Sequence, residues 1–93
     1  MLRIVPTARF RKDFQKLKRS GNKDMSKLAK VINMIASGES LPLNYHDHQL
    51  SGDKKRFREC HIEPDWLLMY EIRSGVLVLS LVRTGSHSEL LKM

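Results

Sequence analysis

The residues best able to do chemistry in this 93-residue chain are four histidines, all from its middle onward. His46 and His48 lie in Tyr45-His46-Asp47-His48-Gln49-Leu50, His61 in Arg58-Glu59-Cys60-His61-Ile62-Glu63-Pro64-Asp65-Trp66, and His87 in Arg83-Thr84-Gly85-Ser86-His87. Imidazole both takes and gives a proton near neutral pH. A single histidine in a small protein is more often a surface or packing residue. Several of them beside a cationic segment point instead to acid-base chemistry on a phosphodiester. Cleavage of RNA by transesterification needs a base for the 2′-hydroxyl, an acid for the leaving 5′-oxygen, and positive charge for the crowded phosphorane. His48, His61 and His87 come from a loop, a strand and the tail, and could converge on one edge of a sheet to meet the first two needs without a metal or other cofactor.

Three neighbours extend this set. Asp65 follows the turn after His61, so a hairpin places it within reach of that imidazole, where a carboxylate would orient the ring; otherwise it is a turn residue. Trp66 is either a core anchor or a platform for a nucleobase. Arg83 ends the last strand and could hold a phosphate. The competing use of the histidines is metal binding, His46 and His48 forming a close pair that His61 or His87 completes. No Cys pair or His-Glu-x-x-His helix accompanies them, so no metal site is expected. Cys60 shares a strand face with Ile62 and is expected to pack.

The elements that must position these groups can be read from periodicity. Arg3-Ile4-Val5 reads as a strand stopped by Pro6. Thr7 caps a helix in which Phe10, Phe14 and Leu17 form the apolar stripe, opposite Arg9, Arg11, Lys12, Lys16 and Arg19, and which ends at Gly21. After Asn22 or Asp24, residues Met25, Leu28, Ile32 and Ile35 mark a second helix that stops at Gly38. Glu39 to Lys55 shows no period, and a connection that long in a small domain is mobile or functional. Phe57 to Ile62, Trp66 to Arg73 and Val76 to Arg83 read as strands joined by Glu63-Pro64-Asp65 and Ser74-Gly75. Thr84 to Met93 is a tail with room for a helical turn at Ser86 to Leu91. The expected architecture is α+β: a strand, a helix hairpin, then three antiparallel strands in one twisted sheet, with the helices covering one face.

The charge is distributed unevenly. The first thirty residues carry ten Lys and Arg against Asp13 and Asp24, whereas the rest hold seven basic and eight acidic residues. A net charge of +7 so placed calls for a polyanionic partner, and nucleic acid fits it better than lipid. No apolar run approaches the roughly 20 residues that span a bilayer. The first residues lack a secretory signal, and one cysteine cannot form an internal disulfide, so a cytoplasmic location and no membrane partner are expected. The length suits one domain over 1–93.

Taken together, Asp47-His48-Gln49-Leu50-Ser51-Gly52, Arg58 to Tyr70 and Arg83-Thr84-Gly85-Ser86-His87 resemble the YafQ-type branch of the RelE toxin superfamily. The resemblance spans nearly the whole chain. It implies a RelE-like fold and the toxin of a type II toxin-antitoxin pair: a metal-independent endoribonuclease that cuts mRNA in the ribosomal A site. It also implies a cognate antitoxin as partner, with operator DNA contacted only through the toxin-antitoxin complex. By motif, His48, His61, Asp65 and His87 match the family's acid-base residues, and Trp66 matches a residue beside them. Lys55, Arg56, Arg83 and Leu91 complete the expected substrate contacts; Leu90 or Leu91 stands where the family's tail motif ends in Phe. A ParE-like gyrase inhibitor on the same scaffold and a plain RNA-binding module are the alternatives, and both leave the histidines dispensable.

Overall fold

The computed structural model describes residues 1–90. Its elements are β1 (Arg3–Pro6), α1 (Ala8–Ser20), α2 (Met25–Ala36), β2 (His48–Gln49), β3 (Arg58–Glu63), β4 (Trp66–Arg73), β5 (Val78–Gly85) and α3 (His87–Leu90). Thr7 starts α1 and ties it to the sheet at once: its side-chain oxygen accepts from the Phe10 amide at 3.1 Å, and its hydroxyl donates to the Val82 carbonyl at 3.0 Å. Gly21 ends α1 in the left-handed conformation, and Asp24 caps α2 by accepting from the Ser26 amide. Apolar residues at helical spacing, Phe10 on α1 and Leu28, Val31 and Ile35 on α2, then meet Cys60, Ile62, Trp66, Leu68, Tyr70, Leu79 and Leu81 of the sheet. Burying a large apolar side chain contributes roughly 1.5–3 kcal/mol, so this one contact layer fixes the helix pair on one face.

The strand order is β1-β5-β4-β3-β2, with β1 parallel to β5 and the other pairs antiparallel. The helix hairpin, first strand and three antiparallel strands are as expected; the fifth strand, β2, was hidden in the aperiodic segment. That segment also holds 3-10 turns at Leu43–Tyr45 and Gly52–Lys54. The last hairpin differs too. Arg73 pairs with Val78, so Ser74–Val76 form a 3-10 turn, Leu77 takes φ 54°, and β5 begins two residues later than the pattern suggested.

Two bulges decide which way the functional side chains point. The β3–β4 register shifts between His61 and Glu63, and β5 carries one extra residue, Val82, where β4 runs from Met69 to Tyr70. The second bulge breaks the alternation, so that Leu81 and Thr84 both serve the core side. Glu59, His61, Leu67 and Met69 are left on the sheet face away from the helices.

Candidate catalytic site

On that open face, His61 pairs with Leu67, Glu59 pairs with Met69 on β4 and with His48 on β2, and Leu67 pairs with Gly85 at the end of β5. The floor is therefore apolar and the rims carry the titratable groups. Leu50, Ser51, Lys54, Glu59, Leu67, Met69, His87 and Leu90 enclose a concavity of about 240 Å³. Beside it the rings of His46, His61 and His87 stand in a row, 5.4 Å and 5.3 Å between successive centroids.

Each of the three expected histidines uses Nδ1 in the same way. His48 Nδ1 lies 2.7 Å from the His46 carbonyl, His61 Nδ1 lies 3.3 Å from the Pro64 carbonyl, and His87 Nδ1 lies 3.2 Å from Asp65 Oδ1. A carbonyl oxygen can only accept, so Nδ1 carries the proton in His48 and His61 and leaves Nε2 for chemistry. His87 differs in having a charged oxygen behind it. Asp65 Oδ1 also accepts from the His87 amide at 3.2 Å, and these two bonds, the amide first, hold its carboxyl below the usual carboxylate range. The carboxylate there fixes the orientation of the His87 ring. On the other rim, Glu59 Oε1 approaches His48 Nε2 to 3.8 Å, with only 15% of its side chain exposed.

The turn carrying His87 is built by Ser86 and Glu89. Glu89 Oε1 accepts from the Ser86 amide and hydroxyl, each at 3.1 Å, and its Oε2 takes the Lys16 ammonium of α1 at 2.9 Å. The Ser86 amide, then Lys16, push the Glu89 carboxyl down to about 2. Gly85 makes room for this closure. At φ 157°, a Cβ on it would stand 3.0 Å from Glu89 Oε1.

Several expected residues take other roles. Asp65 serves His87 and not His61, because the turn directs its carboxylate across to the start of α3. Trp66 is fully buried and donates from Nε1 to Thr84 Oγ1 at 3.0 Å, which makes it a core anchor and excludes it as a stacking platform. Arg83 is 8% exposed, and its Nε and Nη2 bind Asp13 Oδ2 and Oδ1 at 2.8 Å and 3.0 Å. Its guanidinium closes a structural pair where a free phosphate ligand was expected. Lys55 and Arg56 are exposed on the turn before β3, Arg56 over the Phe57 ring at 4.7 Å; Lys54 is the one that lines the concavity. Leu91 lies outside the described residues. Glu59 was missed, and His46, weighed only as half of a metal-binding pair, stands with its ring against His61. Strand alternation, which places residues 59 and 61 on one face, was the available signal for Glu59.

Among the described residues no group of three or more His, Cys, Asp or Glu has an arrangement that could hold a metal ion, and the imidazole row does not supply one. No helix among them is long and apolar enough to cross a membrane.

A family model described as "Bacterial toxin of type II toxin-antitoxin system, YafQ" matches residues 2–92. The mRNA interferase toxin YafQ of Escherichia coli K12 is 38% identical over 76 residues, covering 81% of this chain and 80% of that protein. A metal-bound toxin from Helicobacter pylori superposes with a TM-score of 0.90 at 44% identity, over 97% of this chain and 99% of that one. The toxin fold in a crystal structure of the E. coli DinJ-YafQ complex gives 0.83 at 36% identity, over 97% and 98%.

Proposed function

This chain belongs to the YafQ family of bacterial type II toxins, and from that premise we propose that it arrests translation by cutting mRNA bound in the ribosomal A site, using its own imidazoles and no metal. As a toxin of this family it is an mRNA interferase with an antitoxin partner; the ribosome and the division of labour among the histidines are our reading. Residues 1–93 act as one domain, in the cytoplasm, and reach operator DNA only through the antitoxin.

The observation that carries this reading is the shared use of Nδ1 beside an apolar floor. With Nδ1 engaged, His48 and His61 offer Nε2 lone pairs to the 2′-hydroxyl of the RNA. The deprotonated oxygen attacks the adjacent phosphorus, the bond to the 5′-oxygen breaks, and His87, oriented by Asp65, delivers a proton to that oxygen. The products are a 2′,3′-cyclic phosphate and a 5′-hydroxyl. Lys54 balances the phosphorane charge. Each well-placed proton transfer is worth on the order of 10²- to 10⁴-fold in rate.

The exposed basic residues of α1 and α2, among them Arg9, Arg11, Lys12, Arg19 and Lys30, supply a sequence-independent grip on ribosomal RNA that weakens steeply with salt. Toeprinting of an mRNA on programmed ribosomes, with and without the protein, tests the proposal. New 3′ ends at A-site codons are the expected result. Intact mRNA with arrested replication would favour a gyrase inhibitor, and binding without new ends a plain RNA-binding module.

A further inference from the structure

The loop that carries His46 and His48 places Asp47 between them, and this carboxylate turns inward. Tyr70 of β4, 2% exposed, donates its hydroxyl to Asp47 Oδ1 at 2.5 Å. Arg58 of β3 adds bonds from Nε and Nη2 to the two carboxylate oxygens at 3.4 Å and 3.1 Å. Burial, then the Asp47 bond, push the Tyr70 phenol well above its ordinary range, so it remains a donor. Asp47 itself keeps a quarter of its side chain exposed. One loop residue is thus fastened to two adjacent strands through side chains, while its neighbours stay exposed.

The geometry points to Asp47 as a positioning residue for the reaction, its carboxylate bolted by Tyr70 and Arg58 so that His46 and His48 are held on either side of it. His46 adopts a left-handed backbone, φ 51°, which sends its ring edge-on to His61 and its carbonyl to His48 Nδ1. The same residue therefore sets a ring position and, through the His46 carbonyl, the tautomer of His48. Free of the bolt, the loop is held to the sheet by the two-residue β2 and by Leu41 and Tyr45 packed against the core, with the Asp47 side chain between them unfastened. The inference rests on the proposed cleavage at the histidines, and it adds a residue that never touches RNA.

Three variants test it: Tyr70→Phe, which removes one hydroxyl and keeps the packing; Asp47→Ala; and Asp47→Asn, which keeps an acceptor for Tyr70. Misplacing a catalytic group by about 1 Å can cost ~100-fold, so Asp47→Ala is expected to lower kcat by about that factor while KM stays within about twofold. Tyr70→Phe should fall in the same direction and Asp47→Asn should recover part of the loss. Imidazole nitrogen spectra should show His48 passing from a single Nδ1–H tautomer to a mixture, with His87 unchanged. Wild-type His48 spectra and rates in folded Tyr70→Phe would overturn the inference, as would a rate that falls only with the folded fraction. If Asp47→Ala does not fold, Tyr70→Phe decides alone. A folded His48→Ala at wild-type rate would instead remove the cleavage reading, leaving the spectra to judge placement.

Discussion

Two aspartates illustrate what burial does to a charged pair. Asp13 binds Arg83 through two bonds and takes the Thr84 amide as a third, with 14% of its side chain exposed and 10% of the arginine's. Asp65 binds His87, four residues further along the same motif, with 73% and 48% exposed. The first pair closes the free edge of β5 beyond the end of β1 at Pro6 and is finished as structure. The second leaves a half-exposed imidazole lining a concavity. Charge type alone did not separate them. Completeness of hydrogen bonding and exposure do, and only an incompletely satisfied group can exchange a proton with substrate.

The sharpest way to break this contrast is to remove one member of each pair. His87→Ala should slow cleavage by about 10²- to 10⁴-fold with the unfolding midpoint unchanged, as followed by single-turnover kinetics and thermal melts. Arg83→Ala should act on the other axis: a half-buried Asp13 left without its cation costs about 3 kcal/mol of stability, read by urea titration. Trp66→Phe sharpens the same point. It removes the indole donor to Thr84 Oγ1, whose hydroxyl keeps its bond to the Leu67 carbonyl, and leaves a small void, for about 2 kcal/mol, with the rate per folded molecule preserved.

The smallest effect is expected at Glu89. Its carboxyl is lowered in the fold from 4.5 to about 2, so the stability it adds is full above the ordinary carboxylate range and is lost as pH falls from about 4.5 through about 2. Glu89→Gln should flatten that acid limb of the stability curve. Because the Lys16 side of the contact is largely exposed, the loss at neutral pH is under about 1 kcal/mol.

Much of the fold was legible because it rests on periodicity. Phe10, Leu28 and Ile35 recur at helical spacing, and the runs Trp66–Arg73 and Arg58–Glu63 are bounded by Pro64 and Gly75. The strand β2 was not legible, since two residues carry no period and its pairing depends on Glu59 in a distant segment. The bulges were equally hidden, and they decide orientation. Val82 reverses the alternation before Thr84, and Asp65 turns to His87 because α3 begins opposite it. Sequence thus nominated the three histidines whose Nδ1 atoms are engaged, left Trp66 open between core anchor and platform, and did not find the partners of Arg83 and Asp65, which depend on who stands beside them. His46 offered itself in sequence only as a partner of His48, yet its ring stands against His61.

The chemistry of the cut ends tests the central claim most directly. RNA cleaved on programmed ribosomes in the presence of a chelator that leaves ribosomal magnesium in place but strips transition metals should carry a 2′,3′-cyclic phosphate or its 3′-phosphate product, opposite a 5′-hydroxyl, in mass spectra of the fragments. Fragments ending in a 3′-hydroxyl and a 5′-phosphate, or cleavage that stops with the chelator, would contradict an imidazole acid-base mechanism.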